Sequence, residues 1–140
     1  MEAATTVISL KYYTDASYSP QTGFGVIAIR KVVNSNMITD STTTYHGIKN
    51  SELEKIGIEI CIRDAQEQCN TTGSMIHVFT DCESSISNYE SEINLKVHWI
   101  QGHLAKKNRI SEDDRHFREV DLKARKELRK LVSIHNLNSK

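Results

Sequence analysis

Apolar and polar positions divide the chain into short runs of strand character at the front and longer helical periodicities behind them. Val7 to Ser17 is dense in strand formers through Ile8, Leu10, Tyr12 and Tyr13, and it stops abruptly at Thr14-Asp15-Ala16-Ser17. A turn around Pro20 and Gly23 leads to a second strand, Phe24 to Arg30, and Asn34-Ser35-Asn36 makes another turn before a threonine-rich third strand, Met37 to His46, with one polar face. These runs predict three antiparallel strands. Asn50 to Glu54 reads as a helix start in which Ser51 and Glu54 have the spacing of a capping box. Ile56, Ile58, Ile60 and Ile62 alternate as in a strand, whereas Glu54, Gly57, Ile58, Cys61, Ile62 and Ala65 recur at helical spacing. The uninterrupted length to Asn70 and the capping signal favour the helix.

Further along, Met75 to Asp81 predicts a strand, Glu83 to Ser91 a short helix and Leu95 to Ile100 another strand. Ser111-Glu112-Asp113-Asp114 has the serine and acids of a helix N-terminus. The long helix it opens is expected to reach about Ile134, with Phe117, Val120, Ala124, Leu128 and Leu131 as its apolar stripe.

At 140 residues without repeats or low-complexity linkers, residues 1–140 are expected to form a single domain with a core of its own. Eighteen basic and eighteen acidic residues cancel, so any nucleic-acid binding has to use local patches. No apolar run approaches the length of a membrane span, and the N-terminal residues lack the pattern of a signal peptide. Cys61, Cys69 and Cys82 are odd in number and lack the paired spacings of a zinc site, which favours reduced thiols and a cytoplasmic setting.

Both Asp15 and Asp81 end an apolar strand and are followed by a small residue, which points to one shared site. Like charges brought together repel and raise each other's pKa unless a cation or a shared proton lies between them. Either aspartate alone is equally well explained as a turn residue capping the next element, and Glu54 alone is explained by the capping box. Asp121 is harder to dismiss: it lies within the apolar stripe of the last helix, where burial costs several kcal/mol unless something satisfies it.

In this order and context the residues resemble a ribonuclease H of type 1, within the wider retroviral-integrase-like superfamily. The resemblance covers nearly the whole chain. It rests on Thr14-Asp15-Ala16-Ser17, on Glu54 with the helical positions after it, on Phe79-Thr80-Asp81, on Val97-His98-Trp99-Ile100-Gln101-Gly102-His103, and on Glu119 to Arg125. It implies an α/β fold whose five-stranded mixed sheet, three antiparallel strands followed by two parallel ones, is flanked by helices. It also implies hydrolysis of the RNA strand of RNA/DNA hybrids, with Asp15, Glu54, Asp81 and Asp121 holding two divalent ions, normally magnesium with manganese able to substitute. Asp15 would bridge both ions, Glu54 and Asp81 would hold the one near the leaving group, and Asp121 the one that activates water. His103 corresponds to the family's mobile histidine, which assists proton transfer or product release. Ala16, Ser17, Asn50 and Ser51 stand where the family contacts the hybrid, and Lys106, Lys107 and Arg109 offer phosphate contacts.

The chain departs from the family pattern between Cys82 and Gly102, where there is room for one short helix and one strand but none for the basic protrusion that grips the DNA strand in some members. Glu83 occupies a position that is often a polar amide, and the segment from His103 to Asp121 is longer than usual. Two other readings follow: a nuclease of the same superfamily acting on another nucleic acid, and a scaffold or binding domain of a larger polymerase or assembly. The second usually lacks one or more acids, whereas this chain retains a candidate for each.

Overall fold

The structure is a computed structural model and describes residues 9–68, 75–82, 95–100 and 111–138. Strands β1 (Ser9–Tyr18), β2 (Phe24–Val33) and β3 (Met37–His46) are followed by helix α1 (Asn50–Gln68), strands β4 (Met75–Thr80) and β5 (Leu95–Trp99), and helix α2 (Glu112–Asn138). The strands form one five-stranded mixed sheet in the order β3-β2-β1-β4-β5. β1 runs antiparallel to β2, β2 antiparallel to β3, and β4 lies parallel to both β1 and β5. This is the expected fold class. The expected short helix over Glu83–Ser91 lies outside the described residues.

The turns follow from their residues. Asn34 and Ser35 both take positive φ (53° and 71°), the geometry of the two-residue turn whose twist matches a hairpin, and asparagine tolerates it. At the other hairpin end Gly23 takes φ 81°, and its N–H bonds the Ser19 carbonyl at 2.8 Å. β2 continues three residues past its expected end, to Val33, paired with β1 throughout.

Alternation along β1 builds two cores. Leu10 and Tyr12 point to one face and pack with Leu53, Ile58, Cys61 and Ala65 of α1. Tyr13 points to the other face and packs with Phe79, Phe117, Val120 and Ala124. The contest over the isoleucines thus resolves as a helix, and the helical stripe is the buried one: Leu53, Glu54, Gly57, Ile58, Cys61 and Ala65 are buried, Ile62 half-buried. Gly57 permits the close approach, since a Cβ there would lie 2.4 Å from Thr14 Oγ1. β3 is an exposed edge strand on which even Met37 and Ile38 face solvent.

Both helix termini refine the sequence reading. α1 starts at Asn50, with the Glu52 and Leu53 N–H groups bonded to the Lys49 carbonyl at 3.0 Å, so Ser51 lies inside the first turn and is not its cap. α2 does begin as expected: Ser111 Oγ accepts a bond from the Asp114 N–H at 3.0 Å. It then runs past Ile134 to Asn138.

Candidate active site

Four elements deliver carboxylates to one end of the sheet. Asp15 sits near the end of β1, buried, opposite Ala28 of β2. Asp81 follows β4 directly. There Thr80 is fully buried; its Oγ1 accepts from the Cys82 N–H at 3.1 Å and its carbonyl accepts from the Ile100 N–H at 2.8 Å, so the chain leaving β4 is fixed on both sides of the aspartate. Glu54 comes from the first turns of α1, on the helix face that Gly57 lets approach β1. Oxygens of Asp15, Glu54 and Asp81 all lie within 4.8 Å of one another. They open into a cleft of about 410 Å³ that is also lined by Ala16, Ser17, Tyr18, Asn50, Asp121 and Arg125.

Electrostatics make this cluster costly as it stands. Burial, then the Asp81 and Glu54 charges, push the Asp15 carboxyl up to about 10. Burial and Asp81 push Glu54 up to about 8. Glu54 Oε2 is buried with no hydrogen-bond partner among the described residues. An orphaned buried carboxylate oxygen, on a residue that meets two other carboxylates, fits a hard cation that takes oxygen ligands. Binding such an ion would displace the protons these raised values retain.

Asp121 is buried on the stripe of α2, as its sequence position predicts, and shares a hydrogen bond with Asp15. Its oxygens are otherwise held by cations of its own helix: Arg118 Nη1 lies 3.0 Å from Oδ2 and Arg125 Nε 3.1 Å from Oδ1. It stands beside the three converging acids and is not part of their close cluster. Sequence reasoning missed this clamp, although the signal was present, because arginines three residues before and four after an aspartate share its helix face. Tyr18 was missed as well; it lies on the strand immediately after the predicted Ala16 and Ser17.

Of the other expected site residues, Ala16, Ser17 and Asn50 line the cleft, whereas Ser51 is exposed and does not. His103, Lys106, Lys107 and Arg109 lie outside the described residues. On the α2 side of the sheet, His77 Nδ1 and His98 Nε2 are 2.8 Å apart, with the His98 ring stacked on Phe79 at 4.6 Å. Burial lowers the pKa of both.

This fold recurs in solved structures. Prototype foamy virus protease-reverse transcriptase matches over 85% of this chain with a TM-score of 0.62 at 11% identity, and the match spans 20% of the viral chain. LC11 ribonuclease H1, isolated from compost by a metagenomic approach, matches over 89% of this chain and 98% of its own, with a TM-score of 0.64 at 13% identity. The chain has a ribonuclease H-like fold. The same LC11 enzyme in complex with an RNA/DNA hybrid matches over 65% of this chain and 84% of its own, with a TM-score of 0.54 at 14% identity. No protein-family model matches the chain, and no curated protein matches it. The ribonuclease H-like sheet accounts for the site's placement: parallel strands β1 and β4 end side by side, so residues ending them share one cleft.

Proposed function

We propose that this protein is an endonuclease that hydrolyses the RNA strand of RNA/DNA hybrids with divalent cations. The observation that carries the reading is the convergence of Asp15, Glu54 and Asp81 with an orphaned Glu54 oxygen, on a ribonuclease H-like fold and beside Asp121. Asp15, Glu54 and Asp81 would hold one ion, and Asp15 with Asp121 a second. When bound, such ions supply activation of the attacking water and stabilisation of the leaving 3'-oxygen in an in-line displacement.

The chain's own groups then have separate tasks. The sheet and the two helices fix the carboxylates before substrate arrives, which lowers the reorganisation left for the reaction. Ala16, Ser17 and Asn50, beside Asp15 in the cleft, are placed to contact 2'-hydroxyls across a minor groove, the feature that separates a hybrid from double-stranded DNA. His103 assists proton transfer or product release in this reading.

One observation favours a second reading, a scaffold domain of a larger assembly: both Asp121 oxygens are held by arginines. The test is cleavage of an RNA/DNA hybrid in magnesium and in manganese, with single-stranded RNA, double-stranded RNA and double-stranded DNA as controls, beside Asp81→Asn. Metal-dependent cutting of only the RNA strand, lost in the variant, is expected. A folded protein that cuts none of these substrates would overturn the hybrid nuclease and favour the scaffold.

A further inference from the structure

The side of α2 that borders the acid cleft carries a row of arginines. At about 100° per residue, Arg118, Arg125 and Arg129 fall within an arc of roughly 40° immediately beside Asp121, and Lys126 continues it outward. The row starts at the cleft itself, because Arg125 lines it and both Arg118 and Arg125 are oriented by Asp121. Arg129 is exposed one turn further on. Beyond Asp121 the helix continues to Asn138, about 25 Å at the usual rise, with no acid on this flank, since Glu127 lies on the opposite one. That other flank is engaged with the sheet: His116 contacts Arg30 at 3.1 Å, and the Lys123 charge acts on Asp40. Arg115 extends the row toward the N-terminus but sits among Glu112, Asp114 and Glu119, so it adds little.

We infer that this arginine row, continuing along the C-terminal half of α2, is a track for the phosphates of a nucleic-acid strand entering or leaving the cleft. The inference rests on the nuclease reading and supplies a grip on the strand beside the acids. Charge complementarity fixes the occupant: arginine forks match phosphate oxygens bidentately, and the arginines of this flank present them in a line. Arg118 and Arg125, both held by Asp121, set the inner end of the track beside the carboxylate that would hold an ion.

The test compares matched charge reversals on neighbouring residues of opposite flanks, Arg129→Glu and Lys130→Glu, with Ser133→Lys adding a cation to the arginine flank. Binding of a fluorescent RNA/DNA hybrid is followed across a potassium chloride series, first in EDTA and then in calcium. Arg129→Glu is expected to weaken binding about tenfold and to reduce the salt slope by about 0.9, the value for one lost phosphate contact. Lys130→Glu is expected to change affinity by less than about threefold and Ser133→Lys to tighten it by about threefold, each through long-range charge at one position. Equal losses at Arg129 and Lys130 would overturn the track in favour of a net-charge effect. Displacement of the hybrid by polyglutamate at equal charge would overturn it in favour of an acidic protein surface. Cleavage of the hybrid with Arg129→Glu binding unchanged would overturn the track alone. Hybrid binding that depends on Arg129, by a wild type that never cleaves, would keep the track and overturn the nuclease reading. No binding of any nucleic acid would overturn both.

Discussion

Asp40 and Asp15 are both partly or fully buried aspartates over the same sheet, yet their surroundings are opposite. Asp40 on β3 receives a two-pronged bond from Arg30, Nε at 2.7 Å and Nη2 at 2.9 Å, and that pairing holds its carboxyl below the usual range. Asp64 on α1 is likewise closed, by the Tyr12 hydroxyl at 2.5 Å and Lys31 at 2.9 Å, whose hydrogen bonds and charge hold its carboxyl low against the effect of burial. Asp15 and Glu54 meet other carboxylates and are pushed up. A fold able to pair two acids this well has left Asp15 and Glu54, both buried, crowded together. The difference separates acids that the fold pairs from acids that it leaves crowded against other acids.

The largest effect that can break this comparison is on turnover. Asp15→Asn should lower hybrid cleavage at least a thousandfold, roughly 4 kcal/mol of barrier, while raising the melting temperature in EDTA, because folding no longer has to protonate a buried carboxyl at that place. A variant that lost activity and also melted lower would make Asp15 a structural acid like Asp40. Gly57→Ala comes next. Its methyl would press Thr14 and Ile27, so a loss of about 1–3 kcal/mol is expected in denaturant titration, together with weaker metal binding as α1 carries Glu54 away from β1. Stability equal to wild type would show that the α1–β1 approach has slack.

On the paired side, Arg30→Ala and Asp40→Ala should each cost about 1–2 kcal/mol, with a coupling of about 1 kcal/mol in the double variant and no change in cleavage. Additive losses would mean that the pair is no more than adjacent. The remaining effect is in pH. The folded values of Asp15 and Glu54 lie above their ordinary ones, so between the usual carboxylate range and about 8 to 10 the native state binds more protons than the unfolded one. In EDTA the melting temperature should therefore fall as pH rises from 6 to 9, and saturating magnesium should flatten that slope. A slope unchanged by magnesium would count against an ion at these carboxylates.

The sheet was legible because alternation in β1 and β2 and the strand-ending Thr14-Asp15 and Thr80-Asp81 are local features. Asp121 stood out for the same reason, as a charge on an apolar stripe. The Ser51–Glu54 spacing misled: a glutamate three residues after a serine looks the same whether it reaches back to a backbone N–H or forward into a cleft, and only the seating of α1 through Gly57 decides. His77 and His98 gave no signal, because their meeting depends on the parallel register of β4 and β5, in which Phe79 pairs with His98 and His77 with Lys96.

By itself the sequence determined which residues are strand, helix and turn, and which acids sit at strand ends or on a buried stripe. Those properties depend on periodicity and on neighbours a few positions away. The tertiary structure decided that Asp15, Glu54 and Asp81 bring oxygens within 4.8 Å, that Asp121 is shared between Asp15 and two arginines, and that α2 brings Arg125 to the cleft. Distances between charges far apart in the chain are set by sheet order and helix seating. Coulomb energy and desolvation depend on those distances, so spacing along the chain could nominate the acids without revealing what each one faces.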